Sequence, residues 1–344
     1  MTGLRAILKT LVLIVAVFLL SACGGGGGGG DLPDGQAGGH GSPPTQPDAL
    51  AHPYFAKQIG TIPERITDIC RWGDVIFLSP YLGYGKGKVY VYDGSLYAES
   101  IGVGRIESVY RVWVGKDGQV HAGTEQPALF LTRPWQVVQK YASHGWAVLG
   151  NMASDGSEWR GYSYRGQPSR MWRDNEPFPS IPGRIVWCVE SFRGFYYAGT
   201  SGNSTYKNAN DGLIHIYDSS WQVVPLGLIG GVITAKTHKD AIYFGTTHPE
   251  SILRFDGERW DRWDYDFDLE VAKFWVDEAG RLFTATANVD TICLRQFCHG
   301  SWEVVWSIPG HSTRWGPQGT AWDGKIILAF WDRNMTKVWE IDYR

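Results

Sequence analysis

"AIYFGTTHPESILRFDGERW" (residues 241–260) runs through an apolar stretch to a Gly-Thr pair, breaks at His-Pro, runs through a second short stretch and turns at Asp-Gly before a tryptophan. Short runs of β-branched and aromatic residues bounded by Gly, Pro and Asp read as strands joined by turns. The same order occurs in "FYYAGTSGNSTYKNANDGLIHIYDSSW" (195–221) and in "LFTATANVDTICLRQFCHGSW" (282–302). A repeated supersecondary unit is the first thing to test, because it fixes the architecture.

Aligned on the Gly-Thr pair and on the turn before Trp, each stretch is the middle of a unit of four short strands, a to d. Such units cover 66–99, 108–138, 185–224, 232–263 and 271–306. Residues 146–174 make a degenerate sixth, and 319–344 supply strands a, b and c of a seventh. The c–d turns fall near 94, 134, 166, 220, 257, 300 and 343, about 41 residues apart on average. A period of about 40 to 45 residues with four strands is that of a propeller blade. One four-stranded sheet cannot cover both its faces, and blades stacked around an axis bury each other's.

The expectation is therefore an all-β chain with a single β-propeller of seven four-stranded blades. The strand "YFAKQIGTI" (54–62) has no blade of its own and completes the last one, which removes an exposed edge. Six or eight blades stay open at this point, because the unit at 146–174 is poorly formed. The repeat also accounts for most tryptophans. Trp135, Trp221, Trp260 and Trp302 start strand d, and Trp72, Trp113, Trp187, Trp275 and Trp322 belong to or border strand a.

The front of the chain is of another kind. Arg5 and Lys9 precede an unbroken apolar run, Leu11 to Leu20. Ten residues are too few for a membrane span, which needs about 20, and suit a secretory signal. The following Leu20-Ser21-Ala22-Cys23 resembles the lipobox of bacterial lipoproteins. That resemblance implies a signal peptide over 1–22, cleavage before Cys23, and lipid on its sulfur and on the new amino terminus (diacylglycerol and, among the acyl chains, palmitate). Residues 23–50, with seven glycines from Gly24 to Gly30 and then Gly, Pro, Asp and Gln, read as a flexible tether. The propeller is assigned to 51–344. By resemblance to sorted lipoproteins of two-membrane bacteria, Gly24 in place of Asp favours the outer membrane. The expected location is the cell envelope, with the lipid holding the membrane.

With 32 basic and 35 acidic residues and no basic cluster, nucleic acid is excluded as a partner. A monomer is expected. In propellers the b–c and d–a connections share one rim, and binding residues concentrate in loops on rigid scaffolds. The longest such connections are 79–88, 173–184, 200–212 and 307–319. Tyr81, Tyr84, Tyr206, Arg314 and Trp315 are the candidate ligand contacts there. Aromatic faces stack on sugars, and guanidinium groups pair with carboxylates.

Asp264, Asp266, Asp268 and Glu270 alternate in "DYDFDLE" and resemble the start of a calcium loop, although Leu269 and Trp275 replace its turn Gly and final Glu. Calcium is the one cofactor this pattern admits; a solvated acidic edge is the other reading. Cys70, Cys188, Cys293 and Cys298 receive no disulfide pairing. The nine histidines show no metal-ligand spacing.

"SDGSEW" (154–159) resembles the Asp-box of bacterial sialidases, but Asp155 directly follows Ser154, Glu158 stands at the Thr position, and no second copy exists. No Gly-x-Ser-x-Gly elbow is present, and no residue is singled out as catalytic. The outer-membrane assembly factor that is a propeller lipoprotein shares architecture and anchoring only, since its repeats are of the quinoprotein type. The function expected is a lipid-anchored binding protein for a glycan or an envelope protein. A polysaccharide-active enzyme and a scaffold for outer-membrane protein assembly are the alternatives.

Overall fold

The computed structural model describes residues 55–342 except 82–86, 103–105, 143–144, 164–168, 203–210, 227–229, 248–250, 265–270, 272, 288–289 and 310–315. Cys23, Tyr84, Tyr206, Asp266, Asp268, Glu270, Arg314 and Trp315 lie outside the described residues. So do the signal peptide and the tether.

The described residues form 28 strands. They make seven blades of four antiparallel strands, so the protein is an all-β propeller. The inner strands, in blade order, are Arg65–Trp72, Ser108–Val114, Trp146–Met152, Arg184–Phe192, Gly231–His238, Phe274–Val276 and Gln318–Trp322. Each packs on the inner strand of the next blade, and the last packs on the first, which closes the ring. Phe55–Ile62 is the outer strand of blade 7. It pairs with Met335–Asp342, from Phe55 opposite Asp342 to Ile62 opposite Thr336. Blades 2 and 3 share one further bridge, Trp146 with Glu125, which joins them into one eight-stranded sheet.

Apolar clusters fill the gaps between blades. Phe77 and Leu131 belong to the gap between blades 1 and 2, Trp113 and Phe130 to the next, and Trp159 and Val189 to the gap between blades 3 and 4. Four more clusters complete the ring. Ala241–Thr247 is buried along its whole length. A strand covered on both faces reads as a continuous apolar run, as "AIYFGTT" does.

The Gly-Thr pair has a packing reason in each half. A Cβ on Gly245 would lie 2.6 Å from the Val271 carbonyl oxygen of blade 6, and one on Gly199 2.8 Å from that of Val232 in blade 5. The glycine is the notch into which the next blade closes. The threonine fastens the b–c connection: Thr246 Oγ1 accepts the Ser251 N–H at 2.8 Å, and Thr124 Oγ1 accepts that of Leu129 at 3.1 Å.

The third blade corrects the sequence reading. It is complete, with Glu176–Phe178 as its outer strand, so 173–184 is not one connection. Its c–d turn is Asp174-Asn175, with φ of 50° and 71°, and not near 166. Asp and Asn tolerate the left-handed region that a two-residue hairpin turn requires. Pro177 sits in an outer strand, where a missing N–H is tolerated. The four described cysteines are free thiols, with Cys70 and Cys188 buried in the inner strands of blades 1 and 4.

Candidate functional site

Four inner strands carry a β-bulge at the same level of the ring. The register skips at Thr67, Tyr110, Trp187 and Ile233, and that of blade 3 skips between Trp146 and Leu149. A bulge re-aims a side chain that the ladder would otherwise point at a neighbour. Tyr110, Val148, Trp187 and Ile233, from blades 2, 3, 4 and 5, pack in one cluster. The Tyr110 and Trp187 rings are 6.2 Å apart although their blades are not adjacent. Side chains from four blades can meet only near the axis, so this cluster forms a partial plug on the side of blades 2 to 5.

On the a–b side of the plug lies a cavity of about 570 Å³ lined by all seven inner strands. Polar side chains cross it. Arg111 Nε donates to the Val148 carbonyl oxygen at 2.9 Å, and its Nη2 to that of Trp187 at 3.3 Å, so the guanidinium spans blades 2 to 4. Lys273 of blade 6 reaches past blade 7 to Asp68 of blade 1, Nζ to Oδ1 at 2.5 Å, and also donates to the Ile69 carbonyl oxygen. Asp68 is 3% exposed and accepts the N–H groups of Ile69 at 2.9 Å and Val112 at 3.2 Å. Glu190 accepts the N–H groups of Ser154 at 2.6 Å and Ser191 at 2.9 Å. Burial pushes its carboxyl up, against the opposing pull of Lys236 and these hydrogen bonds.

Four cations and four carboxylates line this space, and most are already paired. Besides Asp68 with Lys273, Arg71 pairs with Glu278, and Asp277 with Arg281 at 2.6 Å. Among the described residues Lys236 has neither a hydrogen bond nor an ion pair. Two buried polar atoms on the lining also lack partners, Trp275 Nε1 and Asn151 Oδ1. The contrast with Trp113 is informative, because its Nε1 donates to Glu158 Oε1 at 3.0 Å. Blade 7 presents Gly319 beneath the Trp275 ring and supplies no acceptor. Both unpartnered atoms are closed off from solvent, so Lys236 is the group left facing the cavity, and a cation there can hold a small anion.

The opposite rim carries the candidate contact that is described, Tyr81. Its ring meets Tyr110 edge-on at 6.2 Å. Burial, then the Glu125 and Glu107 carboxylates, push its phenol up, and Arg65 opposes. Glu125 is 7% exposed and accepts the Trp146 indole N–H. Burial pushes it up to about 7, with the indole opposing and Glu107 adding. Asp264, the described member of the acidic run, accepts from Ser251 Oγ at 2.7 Å and Arg262 Nε at 2.5 Å. Those donors hold its carboxyl below the usual range against its own burial.

No family model matches the chain, and no curated protein matches it. Among solved structures it is similar to the extracellular domain of BT4673 from B. thetaiotaomicron, a protein named as a hybrid two component system. The TM-score is 0.57 at 13% identity over 81% of this chain and 39% of that one. This chain thus spans about two fifths of that neighbour's length. It is also similar to the WD40 β-propeller domain of Doa1, with a TM-score of 0.55 at 12% identity over 83% of this chain and 97% of that one. At such identities the likeness shows the fold alone.

Proposed function

We propose that this propeller is a non-enzymatic binding protein of the bacterial envelope, anchored through lipid on Cys23, that takes an acidic sugar of a glycan in its axial cavity. The observation that carries the reading is Lys236, a cation on the cavity lining with neither a hydrogen bond nor an ion pair among the described residues. A carboxylate on Lys236 would satisfy it. The volume falls within the roughly 300 to 1,000 Å³ of small-molecule sites. An extracellular domain among the similar structures supports an envelope location.

The test is a glycan array probed with the Cys23→Ser full chain, with turnover assayed on every hit. Uronate-bearing glycans should bind, and Lys236→Met should weaken them at least tenfold, the equivalent of about 1.5 kcal/mol for a hydrogen bond to a charged group. Neutral glycans bound equally well, or affinity unmoved in Lys236→Met, would sink the cavity reading. Loss of fatty-acid labelling in Cys23→Ser tests the anchor separately.

One observation favours a second reading, a polysaccharide-active enzyme. Glu125, with its raised pKa, is matched to general-acid work near neutral pH, and Glu107 and Tyr81 stand beside it on the other rim. Tyr84, Tyr206, Arg314 and Trp315 remain proposed contacts of a ligand bound on that rim. Turnover abolished by Glu125→Gln, with Lys236→Met without effect, would favour it over the first.

A further inference from the structure

The sixth blade joins its third and fourth strands, Thr291–Cys298 and Ser301–Pro309, through the two-residue turn His299-Gly300, with φ of 49° and 82°. Cys298 pairs with Ser301 and Gln296 with Glu303. Side chains alternate along a strand, so Cys298 and Glu303 share one face as diagonal neighbours. The left-handed turn brings the His299 ring to them, its Nδ1 3.7 Å from Glu303 Oε1. The thiol, an imidazole nitrogen and a carboxylate oxygen lie within 4.8 Å of one another. Burial, then the hydrogen bond to Glu303, push the thiol up to about 11.

We propose that Cys298, His299 and Glu303 form a binding site for a divalent transition-metal ion of the zinc class, with a fourth coordination position open to solvent. The donor set is the argument. Thiolate, imidazole and carboxylate together suit zinc and its analogue cobalt, whereas calcium and magnesium take oxygen alone. Tetrahedral ligation brings donor atoms to about 3.5 Å from one another, with metal–ligand distances near 2.0 to 2.3 Å. The present spread contracts to that by rotating side chains, and His299, 93% exposed, is free to turn. Cys298 is also available to a metal. It forms no disulfide, and Cys293 sits near the other end of the same strand. The other two described cysteines are buried in the inner strands of blades 1 and 4, away from an ion at the surface.

The test is cobalt titration of the reduced full chain carrying Cys23→Ser, which removes that competing thiol. One equivalent of Co²⁺ should raise a thiolate-to-metal charge-transfer band that Zn²⁺ then bleaches. Cys298→Ser should abolish the band, and Cys293→Ser should leave it intact. His299→Ala and Glu303→Gln should keep the band but weaken cobalt affinity at least tenfold each. His299 is exposed, so its variant also tests the site should Cys298→Ser fold poorly. No band in the reduced Cys23→Ser chain, a band that persists on adding Cys298→Ser, or affinity unchanged in both other variants would overturn the proposal.

Discussion

Replacing Lys273 with methionine tests whether the ring is locked at its axis as well as at its rim. Lys273 belongs to blade 6 and its partner Asp68 to blade 1, so this ion pair bridges the blade that the N-terminal strand completes. Breaking a buried pair costs about 3 to 5 kcal/mol, because the remaining charge is stranded. Asp68 would not be wholly stranded, since the N–H groups of Ile69 and Val112 stay in place. The Lys273 side chain is 24% exposed, which lowers the figure further. An expected loss of about 2 to 3 kcal/mol follows. That corresponds to roughly 3 to 5 °C in Tm for a domain of this size. The assay is a double-mutant cycle in urea with Asp68→Asn. The pair should show a coupling of at least about 1 kcal/mol, since residues in direct contact do not add. Additivity of the two single variants, or a Tm change under about 2 °C for Lys273→Met, would refute the axial lock.

Three further outcomes are expected. Deleting residues 24–50 should leave Tm unchanged, whereas deleting 24–62 strips the outer strand from blade 7 and should lower it severely; equal melting of the two truncations would contradict the pairing of Phe55–Ile62 with Met335–Asp342. Gly245→Ala places a Cβ against the Val271 carbonyl oxygen and should cost about 1 to 3 kcal/mol by overpacking, and calorimetry showing no loss would remove the notch. Glu125 is pushed from an ordinary 4.5 up to about 7, so the folded state holds its proton more tightly and loses stability as pH rises through that window. Glu125→Gln should flatten that decline in melts taken between pH 4.5 and 8, and a decline equal to wild type would assign it to another group.

Much of the fold was legible because the repeat marks itself at fixed places. Gly245, Gly199 and Gly123 admit the next blade, and the threonine after each is tied to the b–c connection, so the pair recurs wherever that contact does. Blade 6 has Ala285 at this place, and there the approach is relieved from the other side by Gly319 under Trp275. The third blade hid its outer strand because Asp174, Asn175 and Pro177 all signal a loop, although the first two only form a tight turn. The axial cavity was not legible. Its lining comes from strands about 40 residues apart, and the bulged positions Thr67, Tyr110, Trp187 and Ile233 share no residue type. Cys298, His299 and Glu303 lie within six residues, yet only the left-handed turn makes them neighbours.

The plug sets how a ligand can approach. Tyr110, Val148, Trp187 and Ile233 narrow the axis from blades 2 to 5. A cavity narrowed at one end favours the end of a chain over its middle. Under the proposed function the acidic sugar is therefore a terminal residue, inserted from the a–b rim until it meets Trp187. The fixed groups fit that order of contact. Arg71 and Glu278 pair near the mouth, and Lys236 and Arg111 lie deeper along the inner strands. The other rim meets the plug through Tyr81 on Tyr110. Under the two proposed readings, chemistry on the interior of a polymer would take place there, beside Glu125, and recognition of a chain end in the cavity.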